Sequence, residues 1–211
     1  MAKNKNIDKD LYNMTTKESI YNLTINTNNI RRLYLDQIDD DYKFQSVDEK
    51  TQTFYSLGNR QSIEVYPVAI QNIRLKRMET TNINNPFDCW SLDYSRPEIS
   101  SAAYSANCWK CSLFSLKEYP NDQYKYSCKR AFLAYFITID TNDLYYMYLD
   151  GEKRYQYKNI SDSIELGYSP LTLYAELVQG SNYDYYSLKT KTSSRFISSD
   201  EAVLINNILN N

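Results

Sequence analysis

The chain has 211 residues, a length typical of one domain or of one domain with an arm. It contains no histidine and only four glycines, which excludes imidazole catalysis, histidine-bound metals and the glycine-rich loops that hold phosphate groups. Lys and Arg number 24 and Asp and Glu number 26, so the net charge of −2 disfavours binding to nucleic acid or to an anionic membrane.

The beginning of the chain is polar and rich in asparagine, and we interpret residues 1–50 as an N-terminal arm or short helical segment. Four apolar residues within it share one face of a helix and predict a short helix around residue 34. They are Ile30, Leu33, Tyr34 and Ile38. No apolar stretch follows the initial methionine, so we expect no secretory signal and a protein made in the cytosol.

The pattern then turns to strands, and we interpret residues 51–211 as a β-rich core with a C-terminal helix. Apolar residues alternate over residues 63–65 and again over residues 68–75, which predicts two half-buried strands separated by a Tyr-Pro step. Basic residues are interleaved with the second strand, and we expect this charged row to face solvent. These residues are Arg74, Lys76 and Arg77.

Residues 80–130 lack regular periodicity and hold all the cysteines, so we expect long ordered loops there. The cysteines are Cys89, Cys108, Cys111 and Cys128. A structural zinc site usually combines two close cysteine pairs, and this sequence offers one C-x-x-C pair and no histidine. We therefore favour reduced, partly buried thiols without a metal. A four-thiolate zinc site, a redox pair and late oxidation to disulfides remain as alternatives.

Two apolar runs, residues 131–139 and residues 144–149, predict strands joined by a turn of Asp, Thr and Asn. A second tight turn at an Asp-Gly step predicts that residues 154–158 form the third strand of an antiparallel meander. Residues 161–166 fit either a short helix or a turn. The longest apolar run is about half as long as a membrane helix requires, so we expect no membrane span.

The last part of the chain predicts two further strands, at residues 171–178 and residues 183–190. Ser198 and Glu201 form a capping box before an apolar periodic segment, which predicts a C-terminal amphipathic helix. The predicted fold class is therefore β-rich α+β. It has an antiparallel meander or sandwich-like core, an N-terminal arm or short helix, and the C-terminal helix.

Tyrosine is the most informative residue type, because 14 of the 22 tyrosines fall between residues 119 and 186. Neighbouring residues of a strand point to opposite faces, so consecutive tyrosines place some rings outside the core. Such rings suit protein contacts, because they bring large rigid area and a hydroxyl that both donates and accepts. The codon bias of an AT-rich genome is the alternative explanation. The predicted assembly contacts are Tyr145, Tyr146, Tyr148, Tyr155, Tyr157, Tyr183, Tyr185 and Tyr186.

The tyrosine-dense tracts at residues 145–148 and 183–186, in an asparagine-rich chain of this size, resemble the polyhedrins of insect cypoviruses. The resemblance implies a compact β-rich protomer with a helical arm. It further implies assembly into intracellular crystals that embed virions, and release of the virions in an alkaline gut. It carries over no individual functional residue.

We therefore expect a non-enzymatic viral structural protein without cofactors, most specifically an occlusion-body matrix protein in the cytoplasm of a host cell. Its partners are copies of itself or other virion proteins, and because phenols ionise near pH 10 we expect its assemblies to dissolve in alkali. The alternatives are a virion or phage head–tail component, a carbohydrate- or host-binding β-domain that uses Trp90 and Trp109, and a carboxylate enzyme. Candidate acids for such an enzyme are Asp88, Asp93 and Glu98.

Overall fold

The computed structural model describes most of the chain from residue 30 onward. The described residues are 30–38, 41–48, 53–56, 61–77, 87–92, 96–97, 105–111, 128–179 and 184–210. The strands are β1 (Arg31–Ile38), β2 (Asp41–Asp48), β3 (Thr53–Ser56), β4 (Ser62–Arg77), β5 (Phe87–Ser91), β6 (Lys129–Thr138), β7 (Leu144–Leu149), β8 (Leu171–Val178) and β9 (Tyr185–Thr192). The helices are α1 (Tyr157–Glu165) and α2 (Ser199–Asn210), with short 3-10 segments at Cys108–Lys110 and Gly151–Gln156. The predicted N-terminal arm or helical segment covers residues 1–50; residues 1–29 lie outside these ranges, and residues 31–38 and 41–48 are strands of the sheet.

The strands of the described residues form one sheet in the order β3-β2-β1-β7-β6-β4-β8-β9, with β5 also paired to β4. The β1–β7 pair is parallel, and every other pair is antiparallel. The sheet curls, because Phe44 of β2 and Leu188 of β9 reach the same buried cluster although their strands lie near opposite ends of the sheet. Helix α1 closes this side through Ile160 and Ile164. The prediction of a β-rich α+β fold is confirmed.

Strand β4 pairs with β6 along most of its length and with β8 and β5 on its other edge. Its register against β6 slips by one residue between Pro67 and Ala69, so Val68 is an extra residue and forms a β-bulge. Proline has no N–H to donate to a neighbouring strand, and a bulge accommodates it. The prediction of two separate strands, at residues 63–65 and 68–75, is wrong because the bulge carries one strand through the proline.

The bulge also changes which residues of β4 face each side of the sheet, since side chains alternate along a strand. Before the bulge, Ile63 and Val65 face the buried cluster that contains α1. After it, Ile73 and Leu75 face the opposite side, where they pack with Leu133 of β6. One extra residue therefore exchanges the odd and even positions between the two faces.

Arg74 and Lys76 consequently lie inside the fold, with exposed fractions of 0% and 5%. The prediction that they face solvent is wrong, because Lys76 lines a cavity with residues 97, 105, 108 and 111 and Arg74 donates to Cys128, so other segments cover this side of β4. Lys76 is in register with Cys89, and Leu75 is in register with Trp90. The side chain of Arg77, the third member of the predicted row, lies outside the described part of the chain.

Residues 31–38 form strand β1, so the predicted helix around residue 34 is wrong. Leu33 and Leu35 both pack on the cluster that contains α1, which is the period of two expected for a strand. The strand pairs with β2 on one edge and with β7 on the other. The β2 ladder covers residues 32–38 and the β7 ladder covers residues 31–32, and these bonds favour the strand, whereas an isolated helix of two turns is marginal in water.

The predicted third meander strand, residues 154–158, is also wrong. Gly151 has φ of 55°, a value that costs glycine little, and it turns the chain out of β7 into a 3-10 helix that runs on into α1. Ile160 and Ile164 are four residues apart and both buried, so helical spacing matches the core here. The alternation of tyrosine with polar residues in this segment is therefore not a strand pattern.

The predicted strands at residues 131–139, 144–149 and 171–178 are confirmed as β6, β7 and β8, and β9 begins at Tyr185. The C-terminal helix and its capping box are also confirmed. The Ser198 hydroxyl accepts from the Glu201 N–H at 3.2 Å, and the Glu201 carboxylate accepts from the Ser198 N–H at 2.7 Å. Helix α2 docks on the sheet through Ile205 and Leu209, each contributing about 1.5–3 kcal/mol of burial. Neither α1 nor α2 is long and apolar enough to cross a membrane.

Glu201 ties this helix to β4 and to the segment before α2. The Tyr66 hydroxyl donates to its carboxylate at 2.5 Å, and the Arg195 guanidinium lies 2.8 Å from it. The backbone N–H of Ser198 and then the Tyr66 hydroxyl lower the pKa of Glu201 to about 2. A lowered pKa in the folded state stabilises the fold above the ordinary pKa of glutamate, and this stabilisation is lost as the pH falls towards about 2.

We predict that Glu201→Gln lowers the free energy of unfolding at pH 7, and that the difference from wild type shrinks as the pH falls towards about 2. Urea unfolding at several pH values measures both. Asp200→Asn is the matched control, since it neutralises an exposed acid in the same turn and leaves the capping box intact. A Glu201→Gln deficit that is constant with pH would contradict the argument.

Candidate functional site: a tyrosine face and a cysteine cavity

The tyrosines of β7 alternate between the interior and the outer side of the sheet, as the sequence predicted. Tyr145 points inward and is 1% exposed, whereas Tyr146 and Tyr148 point outward and are half-buried. The Arg31 guanidinium donates to the Tyr145 hydroxyl at 3.2 Å and forms a salt bridge with Asp143 at 3.2 Å. Burial first, and then the Asp143 carboxylate, raise the pKa of Tyr145 to about 12. This ring therefore belongs to the core.

Three outward rings form a continuous surface, which we call the tyrosine face: Tyr135 of β6 with Tyr146 and Tyr148 of β7. The Tyr135 and Tyr146 ring centroids are 6.5 Å apart, and Tyr146 and Tyr148 meet edge to face at 5.6 Å. Contacts of this kind contribute about 0.5–1.5 kcal/mol each beyond the area they bury. The rings pack against the cluster around Ile73 and Leu75, so their positions are fixed by the sheet beneath them.

The tyrosine face continues onto β1. Arg32 is in register with Tyr146 across the parallel β1–β7 pair, so both side chains lie on the same side of the sheet. The Arg32 guanidinium lies 5.6 Å from the ring centre of Tyr34, and the Tyr34 hydroxyl donates to the Gln45 side chain at 2.7 Å. A cation over an aromatic ring contributes about 0.5–2 kcal/mol. The surface is thus ordered by polar as well as apolar contacts.

The remaining predicted contact tyrosines lie elsewhere. Tyr157 stacks on Phe132 at 4.3 Å and packs against the core. Tyr155 is 54% exposed on the 3-10 helix, and the hydroxyl of the half-buried Tyr185 donates to the Glu152 carboxylate at 2.5 Å. Tyr186 of β9 is half-buried, and Tyr183 lies outside the described ranges. The structure therefore places the outward tyrosines on two surfaces, the tyrosine face and a second one formed by the 3-10 helix and β9.

Two aromatic residues on this side of the sheet were not identified from the sequence, Tyr135 of the tyrosine face and Tyr34 on the neighbouring β1. Tyr135 is a single tyrosine within an apolar run, so nothing in the tyrosine-dense tracts points to it. Tyr135 is spaced by two residues from Leu133 and from Ile137, and this spacing in the sequence places all three on the same side of β6. Tyr34 was assigned to a helix, and its place on the sheet follows only from the pairing of β1 with β7.

All four cysteines line one small cavity of about 20 Å³. They are free thiols and come from three places in the chain, namely β5, the 3-10 turn at residues 108–110, and the residue before β6. The turn presents both members of the C-x-x-C pair, and the Asn107 side chain caps it by accepting from the Trp109 N–H at 2.8 Å. The full lining is Lys76, Cys89, Pro97, Ser105, Cys108, Cys111 and Cys128.

Buried positive charge lies beside these sulfurs. Arg74 donates from Nε to the Cys128 sulfur at 3.5 Å and from Nη2 to the Cys128 carbonyl at 3.0 Å. Burial raises the pKa of Cys128, and the Arg74 hydrogen bond opposes that effect. Cys89 and Cys108 are near enough to raise the same pKa further if they are charged. Within the described residues, no group of three or more Cys, Asp or Glu side chains is placed so that it could hold a metal ion.

The other candidate residues give no catalytic arrangement to examine. The side chains of Asp88, Asp93 and Glu98 lie outside the described part of the chain. Trp90 is half-buried beside the tyrosine face, and Trp109 is exposed on the cysteine turn. Comparison of the chain with protein-family models, curated proteins and solved structures found no match. The function is therefore inferred from the geometry of the tyrosine face and of the cysteine cavity.

The buried Tyr145 gives a pH prediction. Its pKa of about 12 in the folded state exceeds the ordinary value of 10, so its contribution to stability is complete below about pH 10 and is lost towards about pH 12. Phenylalanine cannot ionise, so between about pH 9 and about pH 11 we expect Tyr145→Phe to lose about 1 kcal/mol less stability than wild type. Urea unfolding at both pH values measures the slope. Tyr155→Phe, which changes an exposed ring, should keep the wild-type slope, and identical slopes for wild type and Tyr145→Phe would refute the assignment.

Proposed function

We propose that this protein is a non-enzymatic structural protein that assembles with copies of itself through its outward tyrosines. The observation that carries the proposal is the tyrosine face, where three half-buried rings lie side by side on the antiparallel β6–β7 pair. The backbone beneath the rings is fixed by the sheet, so a contact made through them loses little conformational entropy. A second copy seated on the rings would remove their remaining exposed surface from water.

The second tyrosine surface supports an extended assembly. Tyr155 and Tyr185 lie on the 3-10 helix and β9, whereas the tyrosine face lies on β6 and β7. Two separate contact surfaces allow each copy to bind more than one neighbour, which a lattice requires. Phe196, which is 78% exposed, and Val203 of α2 add large apolar side chains to the outer surface.

Side-chain contacts suit this chain better than addition of a strand to β9. The Gln156 side chain accepts from the Thr190 N–H at 3.0 Å and from the Thr190 hydroxyl at 2.9 Å. The first of these bonds occupies a backbone N–H of β9, the last strand in the sheet order of the described residues. Covering an edge strand in this way discourages pairing with a further strand. Assembly through tyrosine rings remains compatible with the covered edge.

The most specific form of the proposal is an occlusion-body matrix protein, made in the cytoplasm of a host cell and packed there with its own copies or with other virion proteins. A virion or phage head–tail component uses the same kind of contact and would form a ring of fixed size. A carbohydrate- or host-binding β-domain is the second class of function, and the exposed rings of Trp109 and Tyr155 favour it.

We predict that the purified chain forms large assemblies at pH 7 that dissolve above about pH 10, where phenols ionise. Tyr148→Ser and Tyr155→Ser each remove one ring from one of the two surfaces and should weaken self-association by about tenfold or more. Sedimentation velocity over a range of concentrations measures this. Tyr157→Phe is the matched control, because that ring stacks inside the fold and its loss of a hydroxyl leaves both surfaces intact.

A chain that stays monomeric at every concentration would refute the proposal, as would assemblies that survive pH 11. A ring of one fixed stoichiometry would favour the head–tail component over the lattice. Glycan binding by a monomer, lost in Trp109→Ala, would favour the carbohydrate-binding domain.

A further inference from the structure

The cysteine cavity gathers residues that are far apart in the sequence. Cys89 and Cys128 are 39 positions apart, and the C-x-x-C pair lies between them, yet all four side chains wall one space. The cavity includes every cysteine of the chain. A set of scattered, merely buried thiols would have no reason to meet at one point, whereas the ligands of a metal must do so.

The size and donor type of the cavity indicate a single soft metal ion. A volume of about 20 Å³ holds about one water-sized sphere, which suits a single ion better than the several irons and sulfides of an iron–sulfur cluster. The chain has no histidine, so the donors are thiolates. Four thiolates around one ion at about 2.3 Å form the closed tetrahedral shell of structural zinc sites.

The charge around the cavity fits the same ion. A divalent ion bound by four thiolates has a formal charge of −2. Lys76 lines the cavity and Arg74 donates to the Cys128 sulfur, so two buried positive charges lie where that negative charge would be. Hydrogen bonds to the sulfur of a ligand are the usual outer contacts of a metal site and hold the ligand in place.

We propose that Cys89, Cys108, Cys111 and Cys128 bind one Zn²⁺ ion as a structural site. Zn²⁺ forms four bonds to sulfur, and the four thiol protons pass to solvent. The ion joins β5, the 3-10 turn and the start of β6. As they stand, no three of these thiols are placed to hold an ion, so binding requires the side chains to rearrange around the cavity that they line.

This site would stabilise a region in which few apolar side chains are buried. Among the described residues between 87 and 111, Cys108 is the only apolar side chain counted in the buried core, with Trp90 and Leu92 partly buried. Small regions with little apolar core are commonly held by a metal or by disulfides. The ion would therefore hold β5 and the 3-10 turn to the start of β6.

The test uses the full chain, purified under reducing conditions without chelator and analysed by plasma mass spectrometry for metal content. We expect about one zinc per chain, and a loss of zinc to background in Cys108→Ser and in Cys128→Ser. Trp109→Phe is the matched control, because it changes an exposed ring inside the C-x-x-C turn and keeps all four sulfurs. Its zinc content should equal that of wild type.

A second measurement on wild type does not depend on whether the variants fold. Co²⁺ added to the metal-free chain should give the sulfur-to-cobalt charge-transfer and tetrahedral absorption bands of a four-thiolate site, and Zn²⁺ should remove them. A chain without metal and without these bands, stoichiometric iron, or two disulfides after purification would each overturn the proposal. Metal content is measured per chain, so the result is independent of whether copies assemble.

Discussion

The β-bulge in β4 determines what each side of this sheet carries. Without the extra Val68, strict alternation would turn Ile73 and Leu75 towards α1, and Arg74 and Lys76 towards the side that holds the tyrosine face. With it, apolar residues support the tyrosine rings and the two cations reach the cysteine cavity. Pro67 explains why the bulge falls there, since a proline in a continuous ladder would leave a partner unsatisfied.

Local sequence predicted the elements whose signals are strong within a few residues. Strands β6 and β7 are rich in apolar and aromatic residues, Leu171 and Leu173 give β8 its period of two, and the capping box of Ser198 and Glu201 marks α2. The errors arose where distant pairing decides the outcome. Residues 31–38 fit a helical face, yet the two ladders of β1 outweigh a short helix, and residues 154–158 follow a glycine turn into a helix that buries Ile160.

The two candidate places differ in how far the sequence could reveal them. Alternation alone predicts that Tyr145 and Tyr146 face opposite sides, and it does not say which side is the interior. The side is set by Arg31 and Asp143, which meet Tyr145 only in the folded chain. The convergence of the four cysteines is harder still to predict from the sequence. One C-x-x-C pair and two single cysteines match no standard metal-site spacing. The register that places Lys76 beside Cys89 is known only once β5 is paired with β4.

The two places also share a boundary, which makes their proposed roles physically connected. Leu75 and its register partner Trp90 lie in the cluster beneath the tyrosine face, while the next pair, Lys76 and Cys89, lines the cysteine cavity. Alternation along β5 thus sends one residue to each place. A metal bound to Cys89 would also restrain the neighbouring Trp90, which packs in the cluster beneath the tyrosine face. A contact surface loses affinity when its residues must be ordered on binding. Zinc bound on one side of the sheet would therefore strengthen association on the other without touching the partner.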